Sequence, residues 1–339
     1  MRYLLYILSL AGIVFLADLA YVKLGLYDAD IRKCNAELLY QTDSLKRVST
    51  VLYFGESSNF TSPEQDSSHK AISELLAQMQ PGLKLAGISK GAIHASTFKA
   101  LINRLDESST VKTVIVTMNL RSFGINWIES ELETNLSRAE IIYSNLPPVV
   151  KKAMLTFKAY DDMPLFKRNE AIRSHYKRDR FSLQQQSFTS VYEWDKFMFH
   201  QGIPDSSGNK DEEKTGIACH FIKNYAFAIN EKNPRVKDFD AIVKICREKH
   251  LNLIFHILPE NTERANALCG SDLVNLMQAN AGFLEKRYGK DAVVINNYRL
   301  LPDSIFIDRQ WPTEHYTLAG RTAIARTISA SLEKATHAK

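Results

Sequence analysis

Cysteine is scarce in this chain and never clustered. The 339 residues hold four: Cys34, Cys219, Cys246 and Cys269, far apart and without a Cys-x-x-Cys spacing. That argues against a zinc site, and no other metal or cofactor is implied. Cys219 and Cys246 lie in apolar periodic stretches and read as buried free thiols. A disulfide would require an oxidising compartment. A strong charge of one sign is also missing. Lys and Arg number 43 against 38 Asp and Glu, a formal net charge of +5, and the basic residues are mostly dispersed among acids. No aromatic-and-basic recognition pattern accompanies them, so nucleic acid is not an expected partner. There is no internal repeat. The hydrophobic share of 45% and charged share of 24% are those of a globular protein, long enough for one large domain or two small ones.

What is present begins with an apolar run at the N-terminus. Tyr3 to Ala17 is uncharged, and Leu19 to Val22 prolongs it past a single Asp18. Together these approach the roughly 20 residues that span a bilayer. Arg2 precedes the run. A cleavable signal fits poorly, because cleavage after Ala17 or Ala20 would leave Phe15 or Asp18 at the minus-three position. The expectation is an uncleaved single-pass anchor over residues 1–26, with the N-terminus in the cytoplasm and the remaining chain on the periplasmic or extracellular side. Orientation rests on little positive charge. Residues 27–48 read as a linker containing a short helix.

From residue 49 to 335 apolar strands alternate with amphipathic helices. Strands are predicted at 50–55, 83–88, 113–120, 251–258 and 292–296. Helices are predicted near 67–80, 92–105, 216–231, 235–249, 261–287 and 317–334. The third strand, TVIVTMNL, is continuously apolar, as expected when both faces are covered. Residues 121–215 interrupt the alternation with helical pieces, a Pro147-Pro148 stop and a basic run from Lys167 to Arg180, and read as a helical insertion. That basic run suggests a solvated helix face or, failing that, a contact with anionic lipid or acidic polysaccharide. The alternation predicts a three-layer α/β/α sandwich with a parallel, flavodoxin-like sheet.

The stretch VLYFGESSNF, residues 51–60, carries the chemistry. Four apolar residues form a strand, Gly55 ends it, and Glu56, Ser57 and Ser58 fall at the carboxyl edge of the sheet. Open α/β folds place their chemistry at that edge. A lone Ser-Ser after a strand is usually a turn or a helix cap. A serine nucleophile needs a base, a group that orients the base, and oxyanion donors. The best base candidate is His315 in IFIDRQWPTEHYTLAGR, directly before the last helix, and Asp308 lies upstream to orient it. His256, inside a strand, reads as a core or edge residue.

These motifs, in this order, resemble the SGNH (GDSL-type) hydrolase superfamily. The resemblance covers about 200 of the 339 residues. It implies that Ser57 in Gly55-Glu56-Ser57 is the nucleophile and His315 the base, with Gly320 completing the His-x-x-x-x-Gly ending. It also implies that Gly91 in LAGISKGAIH and Asn119 in VTMNLRSF join the Ser57 amide in the oxyanion hole. Two positions depart from the family pattern. Glu56 stands where the family has Asp, and Pro312 stands three residues before the histidine, where the family has its acid. Asp308 is offset by four residues, and Asp303 and Glu314 are the other nearby carboxylates. Lys90 is a candidate for holding an anionic group of a substrate, with a solvated lysine as the plainer reading, and Arg121, which follows Asn119, is a candidate for reaching the site.

The function expected from this resemblance is a membrane-anchored serine esterase or acyltransferase. Its substrate would be the O-acyl groups, acetyl above all, of an envelope or exported polysaccharide. Partners would be the acylated carbohydrate, the membrane through the N-terminal helix, and a membrane acyltransferase or export protein. The alternative is a catalytically inactive subunit of a polysaccharide modification or export complex, and a lipase is a more remote one.

Overall fold

The computed structural model describes residues 2–34 and 36–337. Five strands form one parallel sheet: β1 Val51–Gly55, β2 Leu85–Ser89, β3 Thr113–Met118, β4 Asn252–Ile257 and β5 Val293–Asn296. Their order is β2-β1-β3-β4-β5, the flavodoxin-like doubly wound order expected from the alternation. Side chains alternate across the sheet. Leu52, Phe54, Val114, Val116 and Phe255 enter the larger core, with the helices Ala95–Asn103, Pro234–Glu248 and Ser271–Tyr288. Val51, Tyr53, Ile115 and Ile254 enter the smaller one, under the helices Ile72–Met79 and Leu318–His337. Both faces are thus covered, which is why β1 is buried at every position.

Three expectations need revision. First, residues 27–48 hold more than the one short helix expected in a linker. They form two helices, α2 Leu26–Lys33 and α3 Glu37–Leu45, after the N-terminal helix α1 Arg2–Lys23. Ile31, Leu38 and Leu39 are 2–4% exposed within the larger core. Their scattered apolar spacing, read as linker, is the stripe of two short docked helices. Second, the helix expected at 261–287 is broken into Thr262–Cys269 and Ser271–Tyr288 at Gly270, whose φ is +82°. Third, Arg168 in the basic run is not solvated. It is 1% exposed and donates to Thr134 Oγ1, Asp161 Oδ2 and the Met163 carbonyl.

The interruption after β3 consists of helices Ile125–Ile128, Glu131–Tyr143, Pro148–Thr156, Leu165–Arg178 and Val191–Gln201. A small antiparallel pair, Ile203–Pro204 with Lys210–Asp211, closes it. The helix expected at 216–231 starts earlier, at Glu212, because the Asp211 carboxylate accepts from the Lys214 N–H and caps it. Cys34, Cys219, Cys246 and Cys269 are all buried and free.

Helix α1 has 22 residues and a mean hydropathy of 2.1 over its most apolar window, of which 6% is buried. At 1.5 Å per residue it is about 33 Å long, enough to cross a hydrocarbon core. It is a candidate membrane anchor or signal sequence. Its C-terminal part is tied to the folded chain. Asp18 Oδ1 accepts from the Val149 N–H at 2.8 Å, so it serves the open N-terminus of helix Pro148–Thr156. The Tyr21 hydroxyl donates to Asp30 in α2 at 2.5 Å.

Candidate active site

Strand β1 ends in Gly55, and the chain turns at once into a short 3-10 segment, Ser57–Asn59. Asn59 fixes that turn to the neighbouring strand. Its amide donates to Ser89 Oγ at 2.8 Å and Ser73 Oγ at 3.1 Å, while its Oδ1 accepts from the Ser73 N–H. Ser57 and Ser58 then separate. Ser58 is 1% exposed with no partner for its hydroxyl among the described residues. Ser57 Oγ instead lies 2.9 Å from His315 Nε2.

The histidine arrives on an excursion whose ends are closed. Phe306 and Tyr316 form an isolated antiparallel bridge. The Ile307 N–H donates to the His315 carbonyl at 3.1 Å, and the Thr317 N–H to the Ile305 carbonyl at 3.0 Å. Residues 308–314 therefore leave and return to one place, which brings Asp308 back beside the imidazole. Asp308 Oδ2 pairs with His315 Nδ1, and Asp308 Oδ2 also accepts from Thr313 Oγ1. A spacing of seven residues thus does here what three would do in a shorter loop. Pro312, at the position where the acid was expected, lies within the excursion. Gly320 lets the last helix close on the same loop, since a Cβ there would meet Ile305 Cγ2 at 2.4 Å and Tyr316 Cβ at 2.9 Å.

Asn119 follows β3, beside β1 at the point where the strand order reverses. One of its amide hydrogens goes to Glu314 Oε2 at 2.8 Å, and its Oδ1 accepts from the Arg121 N–H. Gly91 sits in the exposed turn after β2, with open space where a Cβ would be. Lys90 and Arg121, the candidates for contact with substrate, both have protein partners. Lys90 Nζ pairs with Glu37 of α3. Arg121 is 14% exposed and reaches Glu314 through Nε at 3.0 Å and Nη2 at 2.7 Å. A carboxylate in reach of a mostly buried guanidinium outcompetes solvent for it, which sequence position alone does not reveal.

Beneath Ser57 and His315 lies a set of buried carboxyl groups that sequence reasoning missed or left aside. Glu56 is 4% exposed, Glu260 1% and Glu314 2%. Burial, reinforced by the charge of Glu314, pushes the Glu56 carboxyl up to about 8, against the opposing pull of Asn119 and Arg121. Glu260 is raised well above the usual carboxylate range, first by burial and then by Glu314. The Tyr225 hydroxyl lies 2.6 Å from Glu260 Oε2 and 3.1 Å from Glu314 Oε1. The one hydroxyl is thus shared between two carboxyl groups, with the shorter bond to Glu260. Arg321, fully buried, ties the loop after Ser57 to this region. It donates to the carbonyls of Thr61, Ser68, Lys70 and Tyr316 and to Asp66 Oδ2. Of these, Glu260 had a visible signal: it follows a strand at the carboxyl edge of the sheet.

Chemically, the arrangement offers a hydroxyl with an imidazole acceptor, and a carboxylate on the imidazole's other nitrogen. That is the constellation for nucleophilic acyl transfer. The imidazole of His256 takes no part. Buried in β4, it is pushed down to about 3 by burial and meets the Asn297 amide at 2.9 Å.

No family model matches the chain, and no curated protein does. Solved structures align with it along most of its length. A protein from Streptococcus pneumonia named as a platelet activating factor is 8% identical, with 92% of this chain and 99% of that one covered and a TM-score of 0.39. An acylhydrolase from Bacteroides fragilis is 9% identical, over 87% and 94%, with a TM-score of 0.36. A GDSL-like lipase from Bacteroides thetaiotaomicron is 9% identical, over 86% and 90%, with a TM-score of 0.34. Likeness at that level decides nothing about the chemistry of this chain, which rests on its own sheet order and on Ser57, His315 and Asp308.

Proposed function

We propose that this chain is a membrane-anchored serine esterase or acyltransferase, acting outside the cytoplasm on O-acyl groups of an envelope or exported polysaccharide. The observation that carries the reading is the 2.9 Å approach of His315 Nε2 to Ser57 Oγ with Asp308 on Nδ1. Ser57 Oγ attacks the acyl carbonyl as His315 takes its proton, and Asp308 stabilises the imidazolium that forms. The N–H groups of Ser57 and Gly91 and the side-chain amide of Asn119 receive the oxyanion. His315 then protonates the departing sugar hydroxyl, leaving the acyl group on Ser57. Water resolves the acyl-enzyme in hydrolysis, and a second hydroxyl does so in transfer.

Two observations support the carbohydrate part. Helix α1 would hold the site near a substrate confined at the membrane, and its Asp18 and Tyr21 contacts favour a helix that is retained. Trp311, on the same excursion as Asp308 and His315, is 54% exposed and packs against His220 with ring centroids 4.5 Å apart. Its free face suits the apolar side of a sugar ring.

The competing reading, a binding subunit without turnover, drew its strength from the displaced acid. The pairing of Asp308 with Nδ1 weighs against it. The test is labelling of the full chain in detergent by a fluorophosphonate probe, with hydrolysis of p-nitrophenyl acetate alongside. Wild type is expected to label and turn over, and Ser57→Ala to do neither. A wild type that does neither overturns the hydrolase reading, and a Ser57→Ala that labels equally removes Ser57 as nucleophile.

A further inference from the structure

Glu314 has an unusual position for a side chain outside the triad. It immediately precedes His315, yet it points away from solvent and into the end of β3. Four donors converge on its two oxygens. Oε1 accepts from Arg121 Nε at 3.0 Å and from the Tyr225 hydroxyl at 3.1 Å. Oε2 accepts from Arg121 Nη2 at 2.7 Å and from Asn119 Nδ2 at 2.8 Å. Arg121 is itself held in place, its guanidinium 5.1 Å from the centre of the Trp127 ring and its backbone N–H on Asn119 Oδ1.

These bonds join the two halves of the site that come from opposite ends of the chain. One half is the excursion that carries Asp308 and His315. The other is the β3 terminus that carries Asn119. A carboxamide rotates freely about its last bond unless both ends are held. Here Oδ1 is held by Arg121 N–H and one amide hydrogen by Glu314, so the direction of the other hydrogen is fixed.

We propose that Glu314 is a positioning residue of this site: by accepting from Arg121, Asn119 and Tyr225 together, it locks the His315 backbone to the end of β3 and aims the Asn119 amide. The proposal rests on the reading of Ser57 as a nucleophile and adds to it a residue that never touches substrate. Its neighbours set how it acts. Arg121 is the cation that faces it, and Glu56, Glu260, Tyr225 and Tyr316 surround it from β1, β4, the helix Glu212–Tyr225 and its own loop.

The test is a double-mutant cycle on the full chain, with fluorophosphonate labelling rate and p-nitrophenyl acetate kinetics as readouts. Glu314→Gln keeps the shape but turns donors toward Arg121 or Asn119. It is expected to slow labelling roughly 10- to 100-fold, lowering kcat with little change in KM. Asn119→Ala is expected to cost on the order of 10²- to 10³-fold, and the double variant no more than Asn119→Ala alone. Labelling of Glu314→Gln at the wild-type rate overturns the proposal, as does a double variant whose loss is the product of the two single losses. If Glu314→Gln does not fold, Arg121→Lys, which keeps the charge and loses the fork, enters the same cycle with the same expectations. A wild type that never labels refutes the hydrolase reading instead. The positioning claim is then decided by the low-field imidazole N–H resonance of His315, which shifts in Glu314→Gln if Glu314 holds the ring's backbone and overturns the claim if unchanged.

Discussion

Two carboxylates on one excursion serve His315 in opposite ways. Asp308 is 44% exposed and meets the imidazole directly. The Glu314 side chain is 3% exposed and meets Arg121, Asn119 and Tyr225 in place of the imidazole. The exposed one can be lost without leaving an unpaired charge in the interior. Loss of the buried one strands Arg121, a cation that burial would otherwise expel into water. The same functional group thus orients chemistry in one setting and holds architecture in the other, and desolvation decides which.

The largest expected effect separates them. Asp308→Asn should lower the fluorophosphonate labelling rate by about 10²- to 10⁴-fold, because the imidazole loses the partner that sets its tautomer. Its melting temperature should stay near that of wild type. Glu314→Ala should do the reverse in stability, costing about 3–5 kcal/mol for the broken buried pair, measured by denaturant unfolding of the detergent-solubilised chain. Equal stability losses in the two variants would erase the distinction.

How far the sequence foretold this depends on what each residue answers to. The strands were readable because burial on both faces makes them continuously apolar, as in TVIVTM of β3. Ser57, Asn119 and His315 were readable because each follows or precedes an element at one edge of the sheet. The pairing of Asp308 with His315 was not, because it depends on the Phe306–Tyr316 bridge, a contact ten residues apart that no local pattern encodes. The protein partners of Lys90 and Arg121 were hidden for a related reason. A charged side chain near a site looks the same in sequence whether its partner is a substrate or a glutamate brought from elsewhere in the chain. That the segment before β1 holds two docked helices, where one short helix was expected, was hidden by their shortness, since two turns give too few apolar positions to display a period.

A smaller effect comes from Glu56, which shares the burial of Glu314 and feels Arg121 only as a weaker opposing pull. Its folded-state pKa of about 8 stands above the ordinary 4.5. The folded chain therefore holds a proton that the unfolded chain releases. The stabilisation is fully present below pH 4.5 and is lost as pH rises through about 8. The melting temperature should fall across that window in wild type and fall less in Glu56→Gln. Activity should decline above about pH 8 as well, since ionised Glu56 puts negative charge beside a developing oxyanion. A wild-type profile that stays flat above that pH, or a Glu56→Gln that declines in step with wild type, would remove Glu56 from the account.

The smallest effect belongs to Trp311, which lies on the same excursion but faces outward. Its ring is half exposed and packs at an angle against His220, so its removal disturbs neither the Asp308–His315 pair nor the Glu314 cluster. Trp311→Ala should leave the labelling rate and the melting temperature close to wild type. On an acetylated oligosaccharide it should raise KM about fivefold, the equivalent of roughly 1 kcal/mol of lost ring contact, with kcat nearly unchanged. On p-nitrophenyl acetate, which has no sugar ring to stack, KM should not move. A KM that rises equally for both substrates would mean that Trp311 shapes the loop, and would take away its support for a carbohydrate substrate.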